Sequence, residues 1–196
     1  KISGVNLIGC FDIDSKSSHK TALLNNTMSF QSLAALLKKC DAVSVATPAS
    51  SHFEVATIAL KNNCHLFIEK PITNNVLDAE KLIIQANLKK KLLQVGHIER
   101  FNPAFKLFLK TNPSPLFIEA NRLAPFSARG LDVNVVLDLM IHDIDLILNI
   151  VNSQIKTIDA NGASVVSDGI DLANARLTFQ NGCVANLTAS RISNKQ

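Results

Sequence analysis

Residues 42–71, AVSVATPASSHFEVATIALKNNCHLFIEKP, decide how the first half of the chain is read. The stretch 42–46 is small, β-branched and almost wholly apolar, the composition of a parallel strand covered on both faces. Thr47-Pro48 stops it, because proline lacks an N–H and fixes its own φ. Apolar positions then recur at helical spacing over 51–62, and 65–68 (HLFI) is a second short strand ending at Glu69-Lys70-Pro71. Strand, helical crossover and strand make a parallel βαβ unit.

The same alternation continues outward. Upstream, residues 5–11 form a short apolar strand ending at Asp12, and Ser29 is placed to cap a helix over 29–39 with Phe30, Leu33, Ala34 and Leu37 on one face. Downstream, Asn74 or Asn75 caps a further helix, with Asp78 and Glu80 at its positive end and Lys89, Lys90 and Lys91 at its negative end. Residues 92–95 are another strand. Strands separated by helices predict an α/β, doubly wound parallel sheet.

From about residue 97 the texture changes. Pro103 opens a helix, 116–121 reads as a strand and 132–150 as one long helix. Residues 155–166, 170–179 and 183–192 read as strands, the last two joined by a hairpin at Gln180-Asn181-Gly182. A mainly antiparallel α+β unit, 98–196, is therefore expected to follow the parallel unit, 1–97.

Composition excludes several classes. The 196 residues are 47% hydrophobic and 18% charged, enough apolar surface for a core and too much for disorder. Twenty Lys+Arg against sixteen acids give +4, which requires no anionic polymer, and the absence of Trp and Tyr argues against nucleic acid as a partner. Cys10, Cys40, Cys64 and Cys183 form no CxxC pair, so neither a zinc knuckle nor a disulfide framework is expected, and a reducing cytoplasm is the simplest location. The longest apolar stretch, 131–151, carries Asp132, Asp138, His142, Asp143 and Asp145, charges that rule out a lipid span.

Four features carry chemistry, each beside an ordinary reading. Asp12 ends a strand, where a dinucleotide-binding sheet places the acid that accepts from ribose hydroxyls; it is equally a turn aspartate. Thr47-Pro48 and His52 follow the most apolar strand at the edge where open parallel sheets bind ligands, or form a plain strand-to-helix turn. Lys70, at a strand end, is functional or else snorkels and pairs with Glu69. Asp138 and His142 stand at i, i+4, one face of an α-helix, which suits an oriented general base, a surface ion pair or, with His97 or Glu99, a metal site. The metal reading has the loosest spacing, and no metal is expected.

LIGCFDID (7–14), SVATPASSH (44–52), FIEKP (67–71), VGHIERFNP (95–103) and LDLMIHDIDL (137–146) together resemble the glucose–fructose oxidoreductase and inositol dehydrogenase (Gfo/Idh/MocA) family of NAD(P)-dependent oxidoreductases. The resemblance implies a Rossmann-type domain whose first strand and glycine loop are missing from this chain, and a second domain also cut short. A chain so reduced is expected to leave strand edges unpaired and to bind NAD poorly.

Carried over by position, Lys70, Asp138 and His142 are the family's catalytic set, Asp138 holding the imidazole. Asp12 takes the adenosine ribose and favours NAD over NADP. Thr47, Pro48, His52, Glu69 and Lys70 line the nicotinamide side, and Lys70, Arg100, Arg122 and His142 meet the substrate. VGHIERFNPAF, LDVNVVLDLMIHDIDLI and ANLTASRIS are most similar to sugar-nucleotide dehydrogenases of the kind that oxidise UDP-N-acetylglucosamine at C3 for lipid A synthesis. Arg100, Arg122, Arg129 and Arg191 then suggest binding of a diphosphate. The alternatives are a member acting on a free polyol such as inositol and a non-catalytic remnant. The resemblance also implies a homo-oligomer.

Overall fold

The computed structural model describes residues 3–127 and 132–193. Its first half runs β1 (Gly9–Cys10), α1 (Ser15–Leu24), β2 (Met28–Ser29), α2 (Leu33–Leu37), β3 (Ala42–Val45), α3 (Ala49–Lys61), β4 (His65–Ile68), α4 (Val76–Leu88) and β5 (Leu93–Val95). Local chemistry sets most helix starts. Asp14 caps α1 by accepting from Lys16 and Ser17 N–H, Ser32 caps α2 through Ala35 N–H, and Asn75 caps α4 through Asp78 N–H. On α3, Ala56, Ala59 and Leu60 fall at helical spacing and are fully buried. They pack with Leu37, Val45, Leu66, Ile68, Leu82 and Ala86 into the first core.

All strand pairs in this half are parallel, in two sheets ordered β1-β2 and β3-β4-β5. Among the described residues β1 and β3 each keep one unpaired edge. This differs in four places from the sequence reading, which did not include α1. The strand expected over 5–11 is paired in a ladder only at Gly9–Cys10, because β2 offers it just two partner residues. Ser29 lies in β2 rather than capping a helix: Phe30 N–H still donates to Cys10 O at 2.9 Å, so the chain stays extended until Ser32. β3 is buried on one face only. Val45 enters the core, whereas Ala42 and Ser44 are exposed, because right-handed crossovers put α3 and α4 on the same side of their sheet.

The second half begins with a 3₁₀ turn (Ile98–Phe101), then α5 (Pro103–Leu109), β6 (Phe117–Leu123), a π-helical turn (Val136–Met140) running into α6 (Ile141–Ile150), β7 (Ile155–Ala163), β8 (Leu172–Phe179) and β9 (Val184–Ser190). The sheet order is β6-β9-β8-β7. β7-β8 and β8-β9 are antiparallel as expected, while β6-β9 is parallel, so the sheet is mixed. Gly182, at φ +88°, closes the β8–β9 hairpin in a conformation L side chains seldom adopt.

One face of this sheet is covered. Ala175, Leu177, Phe179, Ala185, Leu187 and Ala189 pack against Val135, Met140, Ile147 and Val151 of the π-turn and α6. The alternate residues Phe117, Glu119, Asn174 and Arg176 face outward and are exposed. Among the described residues no helix is long and apolar enough to cross a membrane.

Candidate active site

Lys70 leaves β4 immediately beyond the fully buried Ile68. Glu69 N–H donates to Val45 O at 2.9 Å, extending the β3–β4 ladder to the residue before it, and the Lys70-Pro71 peptide is cis. The Glu69 carboxylate fills the space a side chain at position 96 would need: a Cβ on Gly96 would stand 2.9 Å from its Oε2. Lys70 then crosses to the second half, where Nζ donates to Asp138 O at 2.6 Å and to Asp138 Oδ1 at 3.1 Å. Both side chains are largely shielded, at 20% and 25% exposure.

Asp138 sits in the π-turn, and that corrects its expected role. A π-turn closes i→i+5 bonds, so residues before it are rotated relative to those after it and the i, i+4 rule of a plain α-helix no longer applies. Asn134 starts the segment by accepting Leu137 N–H on its side chain at 3.0 Å. The Asp138 carboxylate is consequently turned to Lys70, and no hydrogen bond joins it to His142. The His142 ring is half-buried, and its Nδ1 is buried without a hydrogen-bond partner. Burial pushes the His142 imidazole below its ordinary pKa, the Lys70 ammonium and Arg122 guanidinium reinforce the effect, and Glu99 and Asp143 oppose it. The neutral, proton-accepting form of His142 is thereby favoured.

Arg100 and Arg122 do not present open forks. Arg100 Nε donates to Asp145 Oδ2 at 2.7 Å while its Nη2 bonds Oδ1. Arg122 holds Asp143 through both oxygens, at 2.9 and 2.7 Å. These fork–fork pairs tie the 3₁₀ turn and β6 to α6, and they use the geometry a phosphate would use. His97 Nδ1 approaches Asp145 Oδ1 at 3.9 Å. Arg191 is buried and donates to Val133 O at 2.8 Å, and Arg129 lies outside the described residues. The partners Asp143 and Asp145 were missed by sequence reasoning, although the DIDL run on α6 was their signal.

At the other strand ends, Asp12 is exposed just beyond β1 and accepts Asp14 N–H at 2.9 Å. Thr47 and Pro48 are exposed in the turn that starts α3. His52 departs from its expected place on the nicotinamide side. It is 1% exposed, with Nδ1 2.8 Å from Pro71 O and Nε2 2.9 Å from Thr47 O, so no ring nitrogen is open to a ligand. Among the described residues no cluster of His, Cys, Asp and Glu could hold a metal ion. A groove of about 800 Å³ lies away from this site, between the C-terminal ends of α5 and α6 at Leu109, Asn112, Leu148 and Asn152.

Residues 1–97 match the model of an oxidoreductase family with an NAD-binding Rossmann fold, and residues 117–196 match the GFO/IDH/MocA C-terminal domain. The chain belongs to the Gfo/Idh/MocA family. It joins an NAD-binding Rossmann domain to a C-terminal domain whose sheet is mixed. It is 41% identical over 187 residues to UDP-N-acetylglucosamine 3-dehydrogenase of Acidithiobacillus ferrooxidans, covering 95% of this chain and 60% of that enzyme. A crystal structure of that enzyme superposes with a TM-score of 0.90 at 40% identity, covering 96% of this chain and 63% of the other. Myo-inositol 2-dehydrogenase of Thermotoga maritima is 27% identical over 166 residues, 77% of this chain and 50% of that enzyme. The chain thus spans about three-fifths of the length of its UDP-sugar relative.

Proposed function

We propose that this Gfo/Idh/MocA chain serves the NAD-dependent oxidation of a secondary hydroxyl on a nucleotide-activated sugar, UDP-N-acetylglucosamine at C3. The observation that carries the reading is the meeting of Lys70 from the first unit with the π-turn of the second, beside a half-buried His142 whose Nδ1 has no partner. The residues present fit a dinucleotide. Asp12 is exposed beyond β1, holding one backbone N–H, so its carboxylate retains acceptor capacity for ribose hydroxyls. Thr47 and Pro48 are exposed beyond β3. We assign residues 1–97 to the cofactor unit and 98–196 to the substrate and oligomerisation unit.

NAD, when bound, supplies the acceptor for the hydride that leaves the sugar carbon. His142, favoured in its neutral form, takes the proton of the sugar hydroxyl. Lys70 donates to the same oxygen and stabilises the negative charge that develops as the C–H bond breaks. Asp138 acts on Lys70: its backbone oxygen and carboxylate hold the ammonium where that charge will appear. The 41% identity to a UDP-N-acetylglucosamine 3-dehydrogenase supports the nucleotide sugar over a free polyol. Because Arg100 and Arg122 are engaged by Asp145 and Asp143, the diphosphate reading rests on that identity rather than on these arginines.

The outward face of the C-terminal sheet, with Phe117, Leu123 and Leu172 exposed, supports a homo-oligomer. The four free cysteines fit a reducing cytoplasm. The test is a substrate panel on the complete gene product, read by NADH absorbance. UDP-N-acetylglucosamine should be oxidised while N-acetylglucosamine and myo-inositol are not. Turnover of a free polyol without any UDP-sugar activity moves the protein to the inositol branch, and no turnover of either refutes the enzymatic reading.

A further inference from the structure

Lys70 has a long stem, and a four-carbon side chain reaches a set point only if its backbone is held. On one side it is held by the β3–β4 ladder, through Glu69 N–H to Val45 O at 2.9 Å. On the other side the next carbonyl, Pro71 O, lies 2.8 Å from His52 Nδ1. The ring is itself anchored. It belongs to the first turn of α3, it is 1% exposed, and its Nε2 lies 2.9 Å from Thr47 O, in the turn that leaves β3. The imidazole therefore sits between the exits of β3 and β4, and its one N–H donates to one of the two carbonyls.

We propose that His52 is a positioning residue: its Nδ1–H ties the Pro71 carbonyl to the first turn of α3 and so sets the reach of Lys70 to Asp138. The inference rests on the role given to Lys70 above, and it replaces a cofactor contact by His52 with an action exerted through the lysine. Nδ1 carries the effect, since it bonds the residue adjoining Lys70.

Two substitutions separate these nitrogens. The amide nitrogen of asparagine stands close to the place of Nδ1, and that of glutamine close to the place of Nε2. His52→Asn should keep kcat near the parent value. His52→Gln should lower kcat by about tenfold or more, because misplacing a catalytic group by about 1 Å can cost as much as 10²-fold. KM for NAD should stay unchanged in both, and the primary deuterium isotope effect on kcat should rise only in His52→Gln, as hydride transfer becomes rate-limiting. A merely structural histidine would change melting temperature and active fraction without altering the isotope effect.

Crystal structures of the two variants read the Lys70 Nζ to Asp138 O separation directly, whatever substrate the protein uses. If the unmodified protein oxidises no UDP-sugar, the functional reading fails and this separation still decides the role of His52. The separation should lengthen in His52→Gln alone. Should that variant not fold, ¹⁵N NMR of the unmodified protein supplies the test, and Nδ1 of His52 must bear a slowly exchanging proton. An unprotonated Nδ1, or a His52→Gln variant with Lys70 in place and parental kcat, overturns the proposal.

Discussion

Replacing Lys70 by methionine keeps the length of the stem and deletes the ammonium. The structure sets three consequences of different size. Stability changes little: the Lys70–Asp138 pair is 20% and 25% exposed, and an ion pair still in contact with water contributes about 1 kcal/mol at most. For a chain of this size that moves the melting temperature by only about 2–4 °C. Catalysis changes greatly. In the proposed mechanism Nζ is a single positioned donor to the developing negative charge, and loss of one such donor costs about 3–4 kcal/mol, or roughly 10²–10³ in kcat.

The third consequence is a shift in pH dependence. Lys70 is the largest charged contributor depressing His142, second only to burial, so its removal raises the imidazole toward its ordinary range. A base works when neutral, above its pKa; raising that pKa moves the acidic limb of the kcat profile to higher pH. Initial rates of NADH formation at saturating NAD and UDP-N-acetylglucosamine, taken across pH, read both effects at once. A variant damaged only in its fold would lower the plateau without moving the limb. Near-normal turnover, or a limb displaced to lower pH, would refute the assignment of Lys70 and His142 as one electrostatic unit.

Three further outcomes follow from single contacts. Asp12→Ala should narrow the preference for NAD over NADP, measured as the ratio of kcat/KM values, because the exposed carboxylate repels a 2′-phosphate; equal use of NADP by the parent refutes this. Arg100→Gln should lower the urea midpoint by an amount worth about 1.5–3 kcal/mol, since the Asp145 side chain, 7% exposed, loses its fork. A raised KM for the UDP-sugar with an unchanged midpoint would instead put Arg100 on the diphosphate. Asp171 accepts from Ser167 Oγ and from Val165, Val166 and Ser167 N–H, and these bonds, the Ser167 hydroxyl foremost, hold its carboxyl far below the usual range. A depressed folded pKa gives stability that is present above the ordinary value, near pH 4, and lost as pH falls toward the depressed one. Asp171→Asn should therefore melt lower at neutral pH and show a flatter acid limb, and an acid limb identical to the parent's would refute the role.

What the sequence made legible is what local chemistry decides. Asn75 with Asp78, Pro103 at the start of its helix and the strand 65–68 were readable because caps and strand ends are set by neighbours a few residues away. The two-sided burial expected for 42–46 was not borne out, because burial depends on which elements come to cover a strand. The arginines show the same limit: a guanidinium fork fits a carboxylate as well as a phosphate, and only the fold brings Asp145 to Arg100, 45 residues away.

The site itself turns on a feature with no periodic signature. The segment 135–141 is apolar nearly all round, so hydrophobic spacing cannot say whether its turns close at i+4 or i+5. Packing decides: Val135, Met140 and Ile147 must all enter the second core, and the chain inserts a π-turn between the first two. The extra residue in that turn swings Asp138 away from His142 and onto Lys70, 68 positions earlier in the chain. Lys70, Asp138 and His142 are singled out by the motifs they sit in, whereas the Lys70–Asp138 contact is set by the turn. The physical consequence is a division of labour between the two groups. The carboxylate is committed to holding a cation, and His142 Nδ1 is left without a hydrogen-bond partner, which fits the proton-accepting role proposed for the imidazole.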